Sequence, residues 1–356
     1  MSNTSKKSAF HPELRRSVIL FLATLICVYY VFGSQWLGGN PFTEWSIAVE
    51  AGKFAITLMA ILLAHEMGHY WVAKRHGFEL SLPVFIPVPF AFGTLGAVIQ
   101  LRSLPSSRSA LLEMGAAGPL AGFILSIIAF CIGLPFTEDV GQLQIQVSAL
   151  TSVPEPGAME WFIENAAWVF WPLEQLESLL QSLGTVPQNE GVPIMILADP
   201  PLLQGIGWAL LGEVPSRYAS LDPIAFAGWV GCMLTAMNLL PIGQLDGGHI
   251  CNACFPRYAR RISIMGIISL LLFAFIWPGW FVWAIALIVM RAWVSLPLPQ
   301  SQPLTTRAKQ IVVATLIAFG CCFMPRPVML ENISIEDIVW LDEKGLPTEP
   351  PLEFKQ

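Results

Sequence analysis

Charge is scarce in this sequence: Lys, Arg, Asp and Glu make up 12% of its 356 residues, about half the roughly 25% of a soluble domain. That shortfall excludes a fold whose surface mostly faces water, and a mean hydropathy of +0.61 agrees. Basic runs are missing as well, which argues against nucleic acid as a partner. The net charge of −6 means little alone, because in membrane proteins the distribution of charge sets topology. Seven cysteines are scattered, mostly in apolar stretches, so they do not form a disulfide framework. No small-residue cleavage site precedes Asn40, and the first apolar run is expected to be a retained span rather than a signal peptide. No internal repeat is visible.

What the chain has instead is a series of long apolar runs. Stretches 17–34, 52–73, 110–134, 222–241, 262–277, 279–294 and 309–324 approach the ~20 residues that a helix needs to cross a bilayer. The expected fold is an all-α polytopic membrane protein with about six to seven transmembrane helices. Its parts are an N-terminus (1–16), a first bundle (17–134), an insert (135–221), a second bundle (222–324) and an acidic tail (325–356). Basic residues orient it. Lys6, Lys7, Arg15 and Arg16 precede the first span, and Lys74 and Arg75 follow the second. Arg257, Arg260 and Arg261 follow the fourth, on the same side if each span crosses once. The insert carries ten acidic residues and one basic residue, Arg217, and falls on the opposite side. This distribution puts the N-terminus in the cytoplasm.

Two regions are not simple spans. Residues 80–102 are apolar but contain Pro83, Pro87 and Pro89, which exclude a continuous helix. They are expected to form an extended hairpin turning near Phe92–Gly96, embedded in the membrane near the site; a hydrophobic loop outside it is the alternative. Within the insert, residues 161–180 combine aromatics with glutamates, as an interfacial helix does, although packing against the bundle fits equally. The stretch 192–212 is broken at Asp199-Pro200-Pro201 and reads as re-entrant or interfacial.

The second apolar run carries His65-Glu66-Met67-Gly68-His69, an H-E-x-x-H motif on an expected helix. Histidines four apart share one helix face, about 40° apart around the axis and about 6 Å along it. That spacing suits two ligands of one zinc ion, with Glu66 able to reach an activated water. Chance would produce such a match roughly 0.003 times in a chain of this composition, so the motif outweighs most short patterns. A catalytic zinc needs a third protein ligand, and Asp246 is the candidate. It lies near the same end of an oppositely running span, in a turn rich in glycine.

At these residues the chain resembles the site-2 proteases, intramembrane zinc metalloproteases marked by H-E-x-x-H and by N-x-x-P-x-x-x-x-D-G on a later span. The second signature is here Asn238, Pro241, Asp246 and Gly247. Residues 115–122, GAAGPLAG, are similar to the family's small-residue segment. Nothing resembles a PDZ or CBS domain, as in the branch that includes plastid and cyanobacterial-type members. The resemblance implies that His65, His69 and Asp246 bind one zinc per chain and that Glu66 is the catalytic base. Asn238 is expected either to donate to the developing oxyanion or to cap its own helix. Gly118 and Gly122 read as a close helix contact, His76 as a solvated helix end, His249 as a spectator or else a residue touching the site from behind its ligands, and Cys251-Asn-Ala-Cys254 as packing.

The function expected is cleavage of a single-pass transmembrane protein within or beside the lipid bilayer, with the hairpin accepting the unwound substrate by strand addition. The expected location is a bacterial cytoplasmic membrane, with the site opening to the cytoplasm. One rival is a zinc protease with a glutamate ligand and a large hydrophilic chamber, which the Asp246-Gly247 motif disfavours. Another is a catalytically silent scaffold or chaperone, which would have lost a ligand or the base. A zinc transporter would spread its ligands over several helices.

Overall fold

The computed structural model describes residues 3–103, 105, 107–137, 144–146, 192–198, 200–213, 219–291, 294, 303–333, 339–341 and 347–348. The expected interfacial helix at 161–180 lies outside them. Among the described residues, three helices are long and apolar enough to cross a membrane by length and composition: Pro12–Trp36, Trp45–Arg75 and Arg108–Phe136. They belong to α1 (Asn3–Val31), which continues as a π-turn to Trp36, to α2 (Trp45–Arg75) and to α3 (Arg108–Gly133). α2 has 31 residues and so rises about 46 Å, well beyond a hydrocarbon core of about 30 Å. His65 and His69 therefore lie some 9–15 Å from its Arg75 end.

The later helices are α4 (Pro201–Leu211), α5 (Pro223–Asn238), α6 (Asp246–Cys254), α7 (Ala259–Phe273), α8 (Gly279–Val289) and α9 (Thr306–Cys322). Of these, α5, α7, α8 and α9 fall where the last four spans were expected, with α7 and α8 meeting at the Trp277-Pro278 turn. At 16, 15, 11 and 17 residues they are shorter than a full crossing, which leaves three helices of spanning length among the described residues. Proline and glycine shorten them: Pro278 separates α7 from α8, and the Pro241–Gly243 turn ends α5.

The fold is mostly helical, but short strands depart from the all-α expectation. β1 (Val84–Pro87) and β2 (Thr94–Val98) pair antiparallel, with Val84 opposite Val98 and Phe85 opposite Ala97. This is the proline-rich hairpin. It hangs on α1 and its π-turn by side chains that donate to its carbonyls: Ser17 Oγ to Pro83, Cys27 Sγ to Val88, Gln35 Nε2 to Pro89 and Trp36 Nε1 to Ala91. At the tip, Gly93 adopts φ 80° where the chain passes against the Val28 backbone, so a β-carbon would meet both strain and a clash.

Two further sheets were not anticipated. β4 (Val192–Leu197) pairs with β5 (Val328–Ile333), and β3 (Gln144–Gln146), β6 (Val339–Leu341) and β7 (Pro347–Thr348) form a three-stranded sheet. Residues 192–197, read as re-entrant or interfacial, are the strand β4, whose pairing partner stands more than 130 residues away, beyond the reach of local pattern. Trp229 on α5 donates from Nε1 to the Ala198 carbonyl at 2.7 Å and fastens this sheet to the bundle.

Aromatic stacking joins the first bundle to α5. Phe32 stacks on Phe54 with ring centroids 4.0 Å apart, and Phe226 packs against Phe54, Trp36 and Trp229. Phe85 of the hairpin is buried in the same core as Leu58, Met59 and Leu62, one to two turns before His65. The hairpin thus flanks the segment of α2 that leads into the motif.

Candidate metal centre

Because α2 is unbroken through 62–75, His65 and His69 project from one face, with ring nitrogens Nε2 3.1 Å apart. His69 Nδ1 donates to the Met114 carbonyl of α3 at 2.8 Å. A carbonyl can only accept, so the neutral ring carries its proton on Nδ1 and leaves Nε2 as a lone pair. This is the outer partnership that metal-binding histidines use to fix their tautomer.

Asp246 completes the group. Its Oδ2 is 3.2 Å from His65 Nε2 and its Oδ1 is 3.2 Å from His69 Nε2. The turn after α5 delivers it there. Leu245 N–H donates to the Ile242 carbonyl at 2.8 Å, Gly243 N–H donates to Ser263 Oγ at 2.9 Å, and α6 starts at Asp246. Gly247 packs against the Leu239 carbonyl, leaving no room for a side chain. At the far end of α6, Arg108 Nε donates to the Ala253 carbonyl at 2.8 Å, and its guanidinium also reaches that of Cys254. A cation at a helix C-terminus is favourable there.

α3 forms the wall of the site. At Gly118 a β-carbon would overlap the His69 ring, and at Gly122 it would come within 3.3 Å of His65 Cβ and Nδ1. Gly68 lies equally close on the other side, since its β-carbon would stand 2.5 Å from the Ala117 carbonyl. The two imidazoles fill a hollow left by missing side chains. The sequence reading assigned Gly118 and Gly122 to packing alone; their spacing of four repeats that of the histidines, which was the available signal.

The chemistry of this donor set fits a cation. Two imidazole nitrogens and a carboxylate converge with all ligand atoms within 4.8 Å of one another, and without a proton or metal between them lone pair would face lone pair. Their separations of 3.1–3.2 Å resemble the ~3.3 Å between ligands of a tetrahedral zinc with bonds of about 2.0–2.1 Å. Glu66, 7% exposed, lies close enough to His65, His69 and Asp246 to feel their charge. The structure therefore brings four of the five expected site residues together.

Asn238 is different. It is the last residue of α5, half-buried, and its side chain makes no hydrogen bond among the described residues. Neither the cap nor a place in the triangle is observed. His76 corrects its expectation as a solvated end, because its Nε2 is 3.2 Å from Glu113 Oε2 on α3. Cys251 and Cys254 are free thiols, and burial, with Cys254 adding to it, pushes Cys251 up to about 11, away from a reactive thiolate.

Apolar helices of membrane length around a His-His-Asp group define a membrane-associated protein with a metal-binding centre. The chain belongs to peptidase family M50, which it matches over residues 53–279. It is 29% identical over 221 residues to the Probable zinc metalloprotease EGY1, chloroplastic, of Arabidopsis thaliana, covering 62% of this chain and 31% of that one. The Oryza sativa subsp. japonica protein of the same name is 30% identical over 221 residues, 62% of this chain and 30% of its own. The Arabidopsis Probable zinc metalloprotease EGY2, chloroplastic, is 27% identical over 67% of this chain and 35% of its own. The chain thus spans about a third of the length of these relatives. Their names place them in chloroplasts and lend no support to a bacterial cytoplasmic membrane. A solved structure, the site-2 protease from Methanocaldococcus jannaschii, is similar over 85% of this chain and 86% of its own, with 16% identity and a TM-score of 0.32, too low a likeness to define the fold.

Proposed function

We propose that this protein is a zinc metallopeptidase that hydrolyses peptide bonds of single-pass membrane proteins within or beside the bilayer. The observation that carries this reading is the His65–His69–Asp246 triangle, set 9–15 Å inside the end of an apolar helix, with Glu66 beside it. His65, His69 and Asp246 hold the metal, His69 being oriented by Met114. Zinc, when bound, supplies a Lewis acid and an acidified water. Glu66 takes a proton from the attacking water and returns it to the leaving amine, as a positioned general base turned acid does. Asn238, at the end of α5, is the side chain assigned to donate to the oxyanion.

A transmembrane substrate shields its peptide bonds in its own helix, so the segment to be cut must unwind. The β1–β2 hairpin suits an extended segment. β1 contains or adjoins three prolines and is occupied by α1, whereas β2 has no proline and exposes Leu95 and Val98. An added strand therefore pairs with β2. The basic residues at the Arg75 end of α2 favour a cytoplasmic opening.

The test is co-expression with candidate single-pass proteins, comparing the wild type with Glu66→Gln. The variant should keep its zinc while cleavage falls by about 10²- to 10⁴-fold. Cleavage at the wild-type rate would show the mechanism to be wrong.

A further inference from the structure

His249 stands on the first turn of α6, three residues after Asp246, so both side chains rise from one face of that helix. It is near enough to Asp246 and His69 to feel their charge. α3 passes it at Gly115, where a β-carbon would lie 3.1 Å from His249 Cβ and 3.2 Å from the Asp246 carbonyl oxygen. Gly118, the glycine under His69, is one turn further along α3. His249 thus packs against the same glycine-lined face of α3 as the triangle, one turn nearer the Arg108 end.

Its Nδ1 is buried and has no hydrogen-bond partner among the described residues. Native structures keep few such orphans, and each one needs a reason. Where α3 meets the base of this residue it presents Gly115, which brings no side chain to pair with it. A trapped water needs two to four polar partners of its own, whereas a peptide group brings its hydrogen-bonding atoms with it. We propose that His249 contacts the substrate, its Nδ1 pairing with a backbone peptide group next to the bond that is cut. This rests on the peptidase reading above and extends it, since neither signature motif includes residue 249.

The experiment uses the full chain, zinc-loaded, in lipid nanodiscs and in a Glu66→Gln background so that nothing turns over. Two probes are compared: a peptidyl hydroxamate, which bears backbone peptide groups, and acetohydroxamate, which bears none. His249→Phe should weaken the peptidyl probe by about 10-fold or more while leaving acetohydroxamate affinity and zinc content unchanged. His249→Gln, which restores a donor and an acceptor, should recover most of that loss. Undiminished peptidyl affinity in His249→Phe overturns the proposal, leaving Nδ1 to a water. So does a parallel loss of both probes in His249→Phe and His249→Gln, which makes the residue a support for Asp246. If the parent binds acetohydroxamate but holds the peptidyl probe no more tightly, and the chain with Glu66 restored cleaves nothing, the peptidase reading itself fails.

Discussion

Two aspartates bracket α5, and each meets α2. Asp222 does so near the Trp45 end: its Oδ1 accepts from Ile224 N–H at 2.9 Å as the helix cap, and Oδ2 lies 3.5 Å from Lys53 Nζ, which also pairs with Glu50 at 2.8 Å. Asp246 does so near the Arg75 end, against His65 and His69. Both carboxylates are largely withdrawn from water. Asp222 has an N–H and a standing ammonium, so the protein itself completes its bonding and the contact is a clamp. Asp246 meets two imidazole nitrogens, and one of those rings already gives its Nδ1 proton to Met114. An ammonium can only donate, whereas an imidazole nitrogen can ligate a metal, and that separates an ion pair that joins helices from a metal centre.

The largest effect should come from removing a ligand. His69→Ala or Asp246→Ala should cut zinc affinity by more than the 10- to 100-fold typical of losing only an outer partner, with cleavage lost in step. Metal titration against a chromophoric chelator measures this, and full zinc occupancy in either variant would refute the assignment. Gly118→Ala comes next. Its new methyl overlaps the His69 ring, so it should cost about 1–3 kcal/mol in stability and lower zinc affinity, read from thermal unfolding and metal content together. Asp222→Ala should break the comparison on its other side, losing a cap and a pair worth about 1–2 kcal/mol while zinc binding per folded chain stays intact. Smallest is Lys53→Met: the ammonium is partly exposed, and less than about 1 kcal/mol should be lost, with no change in metal. A metal defect in either of the last two would erase the distinction between the ends.

Much of the site was legible because its information is local. His65, Glu66 and His69 share four residues of one helix, and helical periodicity alone puts the histidines on one face. Asp246 could be added because two antiparallel helices can be compared for depth. The strand pairing at 84–98 was legible from Pro83, Pro87 and Pro89, which exclude a continuous helix through so apolar a stretch, while its place relative to the membrane is not written in that pattern. What escaped depends on partners far apart in sequence. Met114 contributes a carbonyl, which every residue has, so no side chain announces it. Gly118 looks like any small residue in a membrane helix until the ring of His69 is seen against it. His76 was read as solvated because Glu113 lies 37 residues away. The pairing of β4 with β5 joins residues more than 130 positions apart, and the shortness of α5, α7 and α8 reflects breakers that hydropathy averages over.

The attachment of the hairpin to α1 has a practical consequence. Ser17, Cys27, Gln35 and Trp36 grip main-chain oxygens, and those oxygens are present whatever amino acid carries them. Apart from Phe85, whose ring meets Phe21 of α1, and Gly93, which must stay small against Val28, the fastening is thus indifferent to the hairpin's own side chains. Leu95 and Val98, exposed on β2, take no part in these bonds, so they can be exchanged, or drift over evolutionary time, without unhooking the strand pair from its mount.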